Sequence, residues 1–314
     1  MANITSQVYK KISDNIGQVI FGKEEVIKHL LCAFLANGHV LLEDVPGTGK
    51  TSLVKALSAS ISGTYKRVQF TPDLLPSDII GINYYNQQNN EFVFKQGPVF
   101  SNLVLADEIN RATPRTQSAL LECMEEKTVS VDGETRELSP VFMVMATMNP
   151  LEFQGTFPLP EAQIDRFMMK LHLGYPDEES EKRIAMHTGN LNNATNIGSV
   201  VTLDDIMEAR KEIDKVHISP AVVDYIVKIV RTTRGHEKIK LGVSPRGVVA
   251  LTRAAQTLAA MNGRDYVIPD DVKSLAVPVL AHRMILQSQT SIRLSQSGEA
   301  LIEYLLSKID IPLE

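Results

Sequence analysis

The chain contains the stretch Asp44-Val45-Pro46-Gly47-Thr48-Gly49-Lys50-Thr51, followed at once by Ser52. An apolar run at residues 39–43 precedes it and a helical pattern follows it, which is the strand–loop–helix context of a phosphate-binding loop. Its glycines let successive backbone N–H groups face an anion at the positive end of the following helix. We therefore predict that this loop binds a nucleoside triphosphate, with Lys50 on the β- and γ-phosphates and Thr51 on Mg²⁺.

Short apolar runs on both sides of this loop predict five strands, at residues 40–42, 67–70, 103–106, 142–146 and 170–173. Several of these runs are apolar at both odd and even positions, as is typical of strands that are covered on both faces. Helical patterns fall between them, for example at residues 52–60 and 114–126. The alternation predicts an α/β core in which a mainly parallel sheet lies between helices.

Two inserts interrupt the alternation, and the pattern changes after residue 174. Residues 72–100 form a polar segment that carries aromatic side chains, and residues 127–138 predict a hairpin whose turn is Asp132-Gly133. From residue 174 to the end the pattern is helical, with start signals at Ser219-Pro220 and Ser244-Pro245. We therefore predict an α/β domain at residues 1–173 and an all-α domain at residues 174–314.

Composition narrows the functional classes. The 314 residues are 44% hydrophobic and 22% charged, and the 32 basic against 37 acidic side chains give a net charge of −5. This acidic balance disfavours a dedicated surface for duplex nucleic acid. Two cysteines cannot form a disulfide framework, and the apolar runs are shorter than the ~20 residues that cross a bilayer. A polar amino-terminal segment without a signal-peptide pattern leads us to expect a cytoplasmic protein.

Polar residues follow two of the predicted strands. Asp107 and Glu108 directly follow the run at residues 102–106, and Asn149 follows the run at 142–146. Beside a phosphate-binding loop, Asp107 can hold Mg²⁺ through a water, Glu108 can act as general base, and Asn149 can orient the attacking water. The alternatives are that the acidic pair belongs to a solvated loop and that Asn149-Pro150 simply begins a turn.

Two arginines remain to be explained. Arg166 lies directly before the last predicted strand, where it is either paired with an acid or serves as an arginine finger for the γ-phosphate held by a neighbouring subunit. Arg246 lies in the first turn after the Ser244-Pro245 cap, where a cation opposes the helix dipole. An anionic ligand would explain that placement, whereas helix propensity would not.

An ordered set of motifs resembles the MoxR family of AAA+ ATPases. The set comprises Gly38–Glu43 (GHVLLE), Pro46–Thr51 (PGTGKT), Ala106–Arg111 (ADEINR), Gln117–Glu122 (QSALLE), Ala146–Pro150 (ATMNP), Leu159–Phe167 (LPEAQIDRF) and Ser244-Pro245-Arg246. The resemblance extends from Gly17 to about Arg283. It implies an αβα ATPase core with a helical lid, an insert in the second core helix at about residues 72–100, and a hairpin before sensor 1 at about residues 127–138.

The resemblance also implies roles for individual residues. Lys50 and Thr51 match Walker A, Asp107 and Glu108 match Walker B, Asn149 matches sensor 1, Arg166 the finger and Arg246 sensor 2. The apolar segment Val19-Ile20-Phe21-Gly22 matches the family's element on the adenine side. Whether Arg246 acts on its own nucleotide or across a subunit boundary stays open. Asp44 departs from the general pattern at the first glycine of the loop, with a consequence that also stays open.

Members of this family use ATP and Mg²⁺, assemble as rings that are usually hexamers, and remodel or activate protein partners. Many work with a protein that carries a von Willebrand factor A domain. The resemblance thus implies a chaperone-like ATPase for this chain. Two alternative hypotheses for its function are a nucleic-acid motor similar to the MCM helicases, and an ATP-bound switch with negligible turnover. The hairpin at residues 127–138 carries Asp132, Glu134 and Glu137, which disfavours the first alternative.

Overall fold

A five-stranded parallel sheet forms the centre of the fold. The structure, a computed structural model, describes residues 3–43, 47–148, 155–186, 197–287 and 298–312. The sheet consists of β1 (Val40–Glu43), β2 (Tyr65–Gln69), β5 (Leu103–Asp107), β8 (Met143–Met148) and β9 (Met169–Leu171), in the order β2-β5-β8-β1-β9. These are the five strands that the apolar runs predict, and all pair in parallel.

Helices and short ribbons complete the described chain. The helices are α1 (Ile4–Ile16), α2 (Glu24–Leu35), α3 (Lys50–Ser60), α4 (Pro76–Ile80), α5 (Pro114–Glu126), α6 (Glu161–Ile164), α7 (Glu178–Met186), α8 (Leu203–Ile213), α9 (Pro220–Arg234), α10 (Pro245–Met261), α11 (Pro269–Leu280) and α12 (Gly298–Lys308). The remaining strands are β3 (Gly81–Asn86), β4 (Glu91–Gln96), β6 (Thr128–Val131), β7 (Glu134–Glu137), β10 (Ile239–Leu241) and β11 (Ile285–Leu286).

Each face of the sheet has its own apolar core, because successive side chains of a strand point to opposite faces. On one face Val40, Leu42 and Leu105 are fully buried in a cluster that continues through α1, α2 and α3 into the carboxy-terminal helices. On the other face Leu41 and Val104 pack in a second cluster with α4 and α5. The central strands are therefore covered on both sides, as their continuous apolar runs predict.

Both inserts contain antiparallel hairpins. Residues 72–100 hold the short helix α4 and the hairpin β3–β4, and residues 127–138 hold the predicted hairpin β6–β7. The turn residues Asp132 and Gly133 have φ of 52° and 84°, as a two-residue hairpin turn requires. The hairpins touch each other: Asn83 Nδ2 donates to Asp132 Oδ2 at 2.8 Å, and the Arg136 guanidinium lies 4.2 Å from the centre of the Phe94 ring.

The carboxy-terminal helices pack into the sheet's first core and onto one another. The predicted caps are present, with Ser219 Oγ accepting from the Val222 N–H and Ser244 Oγ from the Arg246 N–H. The helical pattern did not predict the ribbon β10–β11, which joins residues before α10 and after α11. Among the described residues, none of the helices is long and apolar enough to span a bilayer.

Candidate functional site

The phosphate-binding loop joins the carboxyl end of β1 to the first turn of α3. Gly47 and Gly49 have φ of 86° and 92°, a left-handed conformation that glycine adopts without strain. Gly49 caps α3, and Lys50 and Thr51 are its first two residues, so the loop presents the positive end of a helix. Val45 and Pro46 lie outside the described residues, as does Asp44.

A cleft of about 380 Å³ opens where β1, β2, β5 and β8 end. Of the residues predicted for the site, the structure brings together there Gly47, Gly49, Lys50, Thr51, Asp107 and Glu108. Thr48 and Ser52 belong to the same loop and helix, while Asn149, predicted to orient water, lies outside the described residues. The cleft therefore combines the helix start, an amine and two carboxylates, which suits a phosphate and a metal ion.

Thr147, at the end of β8, connects the two carboxylate residues. Its Oγ1 donates to Asp107 Oδ1 at 2.6 Å and accepts from the Glu108 N–H at 2.8 Å. Glu108 has φ of 56°, an uncommon left-handed conformation for a non-glycine residue. The bond to Thr147 fixes this backbone and directs the Glu108 side chain into the cleft.

Three further polar side chains contact the carboxylates. Arg67 Nη2 donates to Asp107 Oδ2 at 2.6 Å, Gln69 Nε2 donates to Glu108 Oε2 at 2.8 Å, and Arg111 Nη1 donates to the same Glu108 oxygen at 3.0 Å. The sequence motifs did not identify Arg67, Gln69 and Thr147 as residues of this site. The one cue to them in the sequence is that a polar residue ends each of the runs that form β2 and β8. The order of the strands in the sheet is needed to show that these ends lie beside Asp107.

The segment predicted for the adenine side packs against α7. The Arg183 guanidinium lies 4.1 Å from the centre of the Phe21 ring, and a Cβ added at Gly22 would lie 2.3 Å from Ser180 Oγ. Val19 and Ile20 are partly buried against the first core. None of these four residues belongs to the described lining of the cleft.

Arg166 and Arg246 lie in a second pocket. Gly38, His39 and Met168, which immediately precede β1 and β9, line this pocket, and so do both arginines. It is therefore at the amino ends of the strands, whereas the nucleotide cleft is at their carboxyl ends. The strands have three to six residues, which at about 3.3 Å per residue separates the two pockets by roughly 10–20 Å.

Comparisons with known proteins agree with this architecture. A family model for the ATPase family associated with various cellular activities matches residues 39–169, and an AAA lid domain model matches residues 231–303. Chaperone MoxR1 of Mycobacterium tuberculosis is 40% identical, over 95% of this chain and 80% of its own. Protein MoxR of Methylorubrum extorquens is 30% identical, over 95% and 93%. The chain belongs to the MoxR family of AAA+ ATPases.

A solved structure extends the likeness over nearly the whole chain. A crystal structure of a candidate ATPase from Cytophaga hutchinsonii superposes with a TM-score of 0.90 at 43% identity, covering 98% of this chain and 96% of its own. The uncharacterized protein YeaC of Bacillus subtilis is 47% identical over 97% of this chain and 95% of its own. The MoxR relatives and the family models confirm the resemblance that the motifs carry. The two family models and the solved structure confirm the α/β fold with a helical lid.

Proposed function

We propose that this MoxR-family chain binds ATP with Mg²⁺ in the cleft at the carboxyl ends of the strands and hydrolyses it to ADP and phosphate. The loop from Val45 to Ser52 would hold the phosphates by its backbone N–H groups, and Lys50 would neutralise the β- and γ-phosphates. Val19, Ile20, Phe21 and Gly22 would lie on the adenine side. AAA+ family membership supports the nucleotide and the reaction.

The donors in the cleft fit a magnesium ion. Mg²⁺ prefers oxygen ligands and keeps several waters, and the Thr51 hydroxyl and the Asp107 carboxylate both line the cleft. Asp107 also binds Thr147 and Arg67, which suits a carboxylate that acts through a metal-bound water. When bound, the ion neutralises charge on the phosphates. The described residues contain no cluster of three or more histidine, cysteine or carboxylate side chains for a metal, so phosphate oxygens and water would complete this one.

Glu108 would act as the general base. Its side chain is 22% exposed and is held by Gln69 and Arg111, so one carboxylate oxygen is fixed while the group borders the cleft. A carboxylate placed there can accept a proton from water as the water attacks the γ-phosphate. We propose that Asn149, which follows β8, orients that water.

The observation that carries the proposal is the separation of the arginines from the cleft of their own chain. Arg166 and Arg246 converge at the amino ends of the strands, too far away for their side chains to reach a phosphate at the carboxyl ends. We propose that both complete the site of a neighbouring protomer, so that Arg246 acts across the boundary. Two cations aimed at the γ-phosphate would stabilise the charge of the transition state.

Assembly follows from this division of the site. We propose a ring, six protomers by family resemblance, with a core at residues 1–173 and a lid at residues 174–314. The name of the relative Chaperone MoxR1 supports a remodelling or activating role toward partner proteins. From the family resemblance alone we propose that one partner carries a von Willebrand factor A domain, and we place the protein in the cytoplasm. Arg136 of the second hairpin pairs with Glu134 and covers Phe94, which disfavours the nucleic-acid motor.

The direct test is Glu108→Gln. The amide cannot accept the proton, so we expect ATP binding to remain while the hydrolysis rate falls by roughly 10²–10⁴-fold. Fluorescent-nucleotide titration and phosphate release measure the two properties, with the exposed Glu122→Gln on α5 as control. Hydrolysis that survives in Glu108→Gln would refute the role of this residue. A wild-type chain that binds ATP but turns over no faster than Glu108→Gln would instead be the ATP-bound switch.

A further inference from the structure

Arg166 and Arg246 contact one and the same carboxylate. Arg166 Nη1 pairs with Oε2 of Glu125, and Arg246 Nη2 pairs with Oε1. Arg166 Nη1 also donates to the Leu121 carbonyl at 3.0 Å. Each guanidinium thus takes its own oxygen, and the two cations converge on a single anionic group.

Helix dipoles do not explain where these charges stand. Glu125 is in the last turn of α5, where a negative side chain is unfavourable, and Arg246 is in the first turn of α10, where a positive side chain is unfavourable. The contact of one with the other accounts for both positions. Glu126, the next residue, is exposed and lies at the same unfavourable end of α5. A substitution of Glu126 therefore measures the effect of the helix dipole without the effect of the arginine contacts.

The pocket around this contact is rich in cations. Its volume is about 470 Å³, and Lys127, Arg253 and Arg283 line it together with the two arginines. Arg283 is bound by Asp165 and Arg253 by Asp214. Burial, with a smaller contribution from the charge of Arg210, lowers the pKa of Lys127 to about 8. The surroundings thus favour an anion between Arg166 and Arg246, and in the single protomer Glu125 provides it.

We propose that Glu125 is an internal competitor for the γ-phosphate of the neighbouring protomer. Its two oxygens occupy the positions that phosphate oxygens take when the arginines act across the interface, so the inference rests on the proposed function. The three side chains are 31%, 34% and 44% exposed for Arg166, Glu125 and Arg246, which makes the exchange of partners inexpensive. A γ-phosphate carries more charge than a carboxylate and displaces Glu125, whereas ADP offers no γ-phosphate and leaves the pair intact.

Assembly of a non-hydrolysing protein tests this competition. In a Glu108→Gln background, the added Glu125→Gln removes the competing charge, and we expect the protein concentration for half-maximal ATP-dependent self-association to fall about fivefold. Sedimentation velocity measures it, with Glu126→Gln as the matched control that leaves the midpoint unchanged. The gain should shrink between about 0.05 M and about 0.5 M salt, because charges on exposed groups are screened. A midpoint that rises or stays the same in Glu125→Gln would overturn the proposal and indicate that Glu125 supports the arginines.

Pyrophosphate binding tests the pocket without ATP hydrolysis. In a Lys50→Ala background that weakens the loop, Glu125→Gln should bind pyrophosphate several-fold more tightly, as followed by NMR signals of the arginine Nε–H groups. Adding Arg166→Ala should abolish the gain. If Glu125→Gln gains nothing here while the wild-type chain hydrolyses ATP, the competitor role fails and the ATPase stands. If the gain appears but the wild-type chain hydrolyses no ATP, the proposed function fails instead.

Discussion

Thr147 is the residue through which the two carboxylates of the nucleotide cleft are coupled. It is 1% exposed, donates to Asp107 and accepts from the Glu108 backbone. The geometry of the proposed metal ligand and of the proposed base therefore depends on one hydroxyl group.

We expect Thr147→Val to lower both stability and activity. The substitution keeps the shape but leaves a partly buried N–H and a carboxylate oxygen without this partner, which costs about 1–3 kcal/mol in the free energy of unfolding. Urea unfolding measures that loss, and phosphate release should fall by more than about tenfold. Thr135→Val, on the exposed hairpin strand β7, serves as control. Equal activity in Thr147→Val and the control would contradict the coupling.

Site residues that belong to a local motif could be predicted from the sequence. Lys50, Thr51, Asp107 and Glu108 follow strands at recognisable spacings, and the described structure gathers them in one cleft. Arg67 and Gln69 could not be assigned, because their importance depends on β2 lying beside β5 in the sheet. Glu125 could have been noticed, since a carboxylate at the end of a helix opposes the dipole, but its partners come from distant parts of the chain.

The first insert shows how an element depends on close backbone contact. A Cβ added at Gly97 would lie 2.2 Å from the Ile79 carbonyl oxygen and 2.5 Å from the Gly81 nitrogen, both backbone atoms. Gly97 thus lets the end of β4 approach α4 and the start of β3. The hairpin leaves the core at this point, so its direction is set here.

We expect Gly97→Ala to destabilise the insert, since the clash is with backbone that cannot rotate away. The free energy of unfolding should fall by about 1–3 kcal/mol. Gly235→Ala is the matched control, because a Cβ at Gly235 meets nothing within 4 Å. Thermal or urea unfolding compares the stabilities of the two variants. Equal stability of Gly97→Ala and Gly235→Ala would contradict this account.

Two histidines, the buried His39 and the partly buried His282, tie elements of the sheet and the lid to their neighbours. His39 Nδ1 accepts from the Val144 N–H at 2.9 Å and His282 Nε2 faces the Phe167 carbonyl at 3.1 Å. Burial lowers the pKa of His39 to about 4. Burial, reinforced by the charge of Arg283, lowers the pKa of His282 to about 3. Both side chains are therefore neutral in the folded chain at neutral pH.

Stability should consequently fall on mild acidification. Between pH about 6.5 and about 4 the unfolded chain takes up protons that the folded histidines refuse, so the free energy of unfolding falls as pH falls. The slope is at most ~1.4 kcal/mol per pH unit for each histidine. Urea unfolding at pH 7, 6 and 5 measures it, and His282→Gln should remove about half of the slope. A constant free energy of unfolding from pH 7 to 5 would contradict the buried neutral state.

Elements of regular length were predictable from their residue patterns, and short ones were not. The sheet strands and α5 follow from apolar runs and start signals. The ribbon β10–β11 involves three and two residues, which is too short for a period to be read. Its pairing forms between segments on either side of α10 and α11, so it depends on how those helices pack.

The whole molecule divides its chemistry between the two ends of one sheet. The carboxyl ends of the strands carry the phosphate-binding loop and the acidic pair, and the amino ends carry Arg166 and Arg246. Motifs predicted both groups of residues but not this separation, because the direction and order of the strands decide it. We therefore propose that each active site is assembled from two protomers.

Mixing two inactive variants tests that claim most directly. Arg166→Ala keeps an intact cleft and Glu108→Gln keeps intact arginines, so a mixed ring contains interfaces at which an intact cleft meets an intact Arg166. We expect each variant alone to release phosphate at less than about a hundredth of the wild-type rate, and an equimolar mixture to recover a rate well above their sum. A mixture that is no more active than the sum of its parts, or an Arg166→Ala protein that is fully active alone, would contradict the shared site.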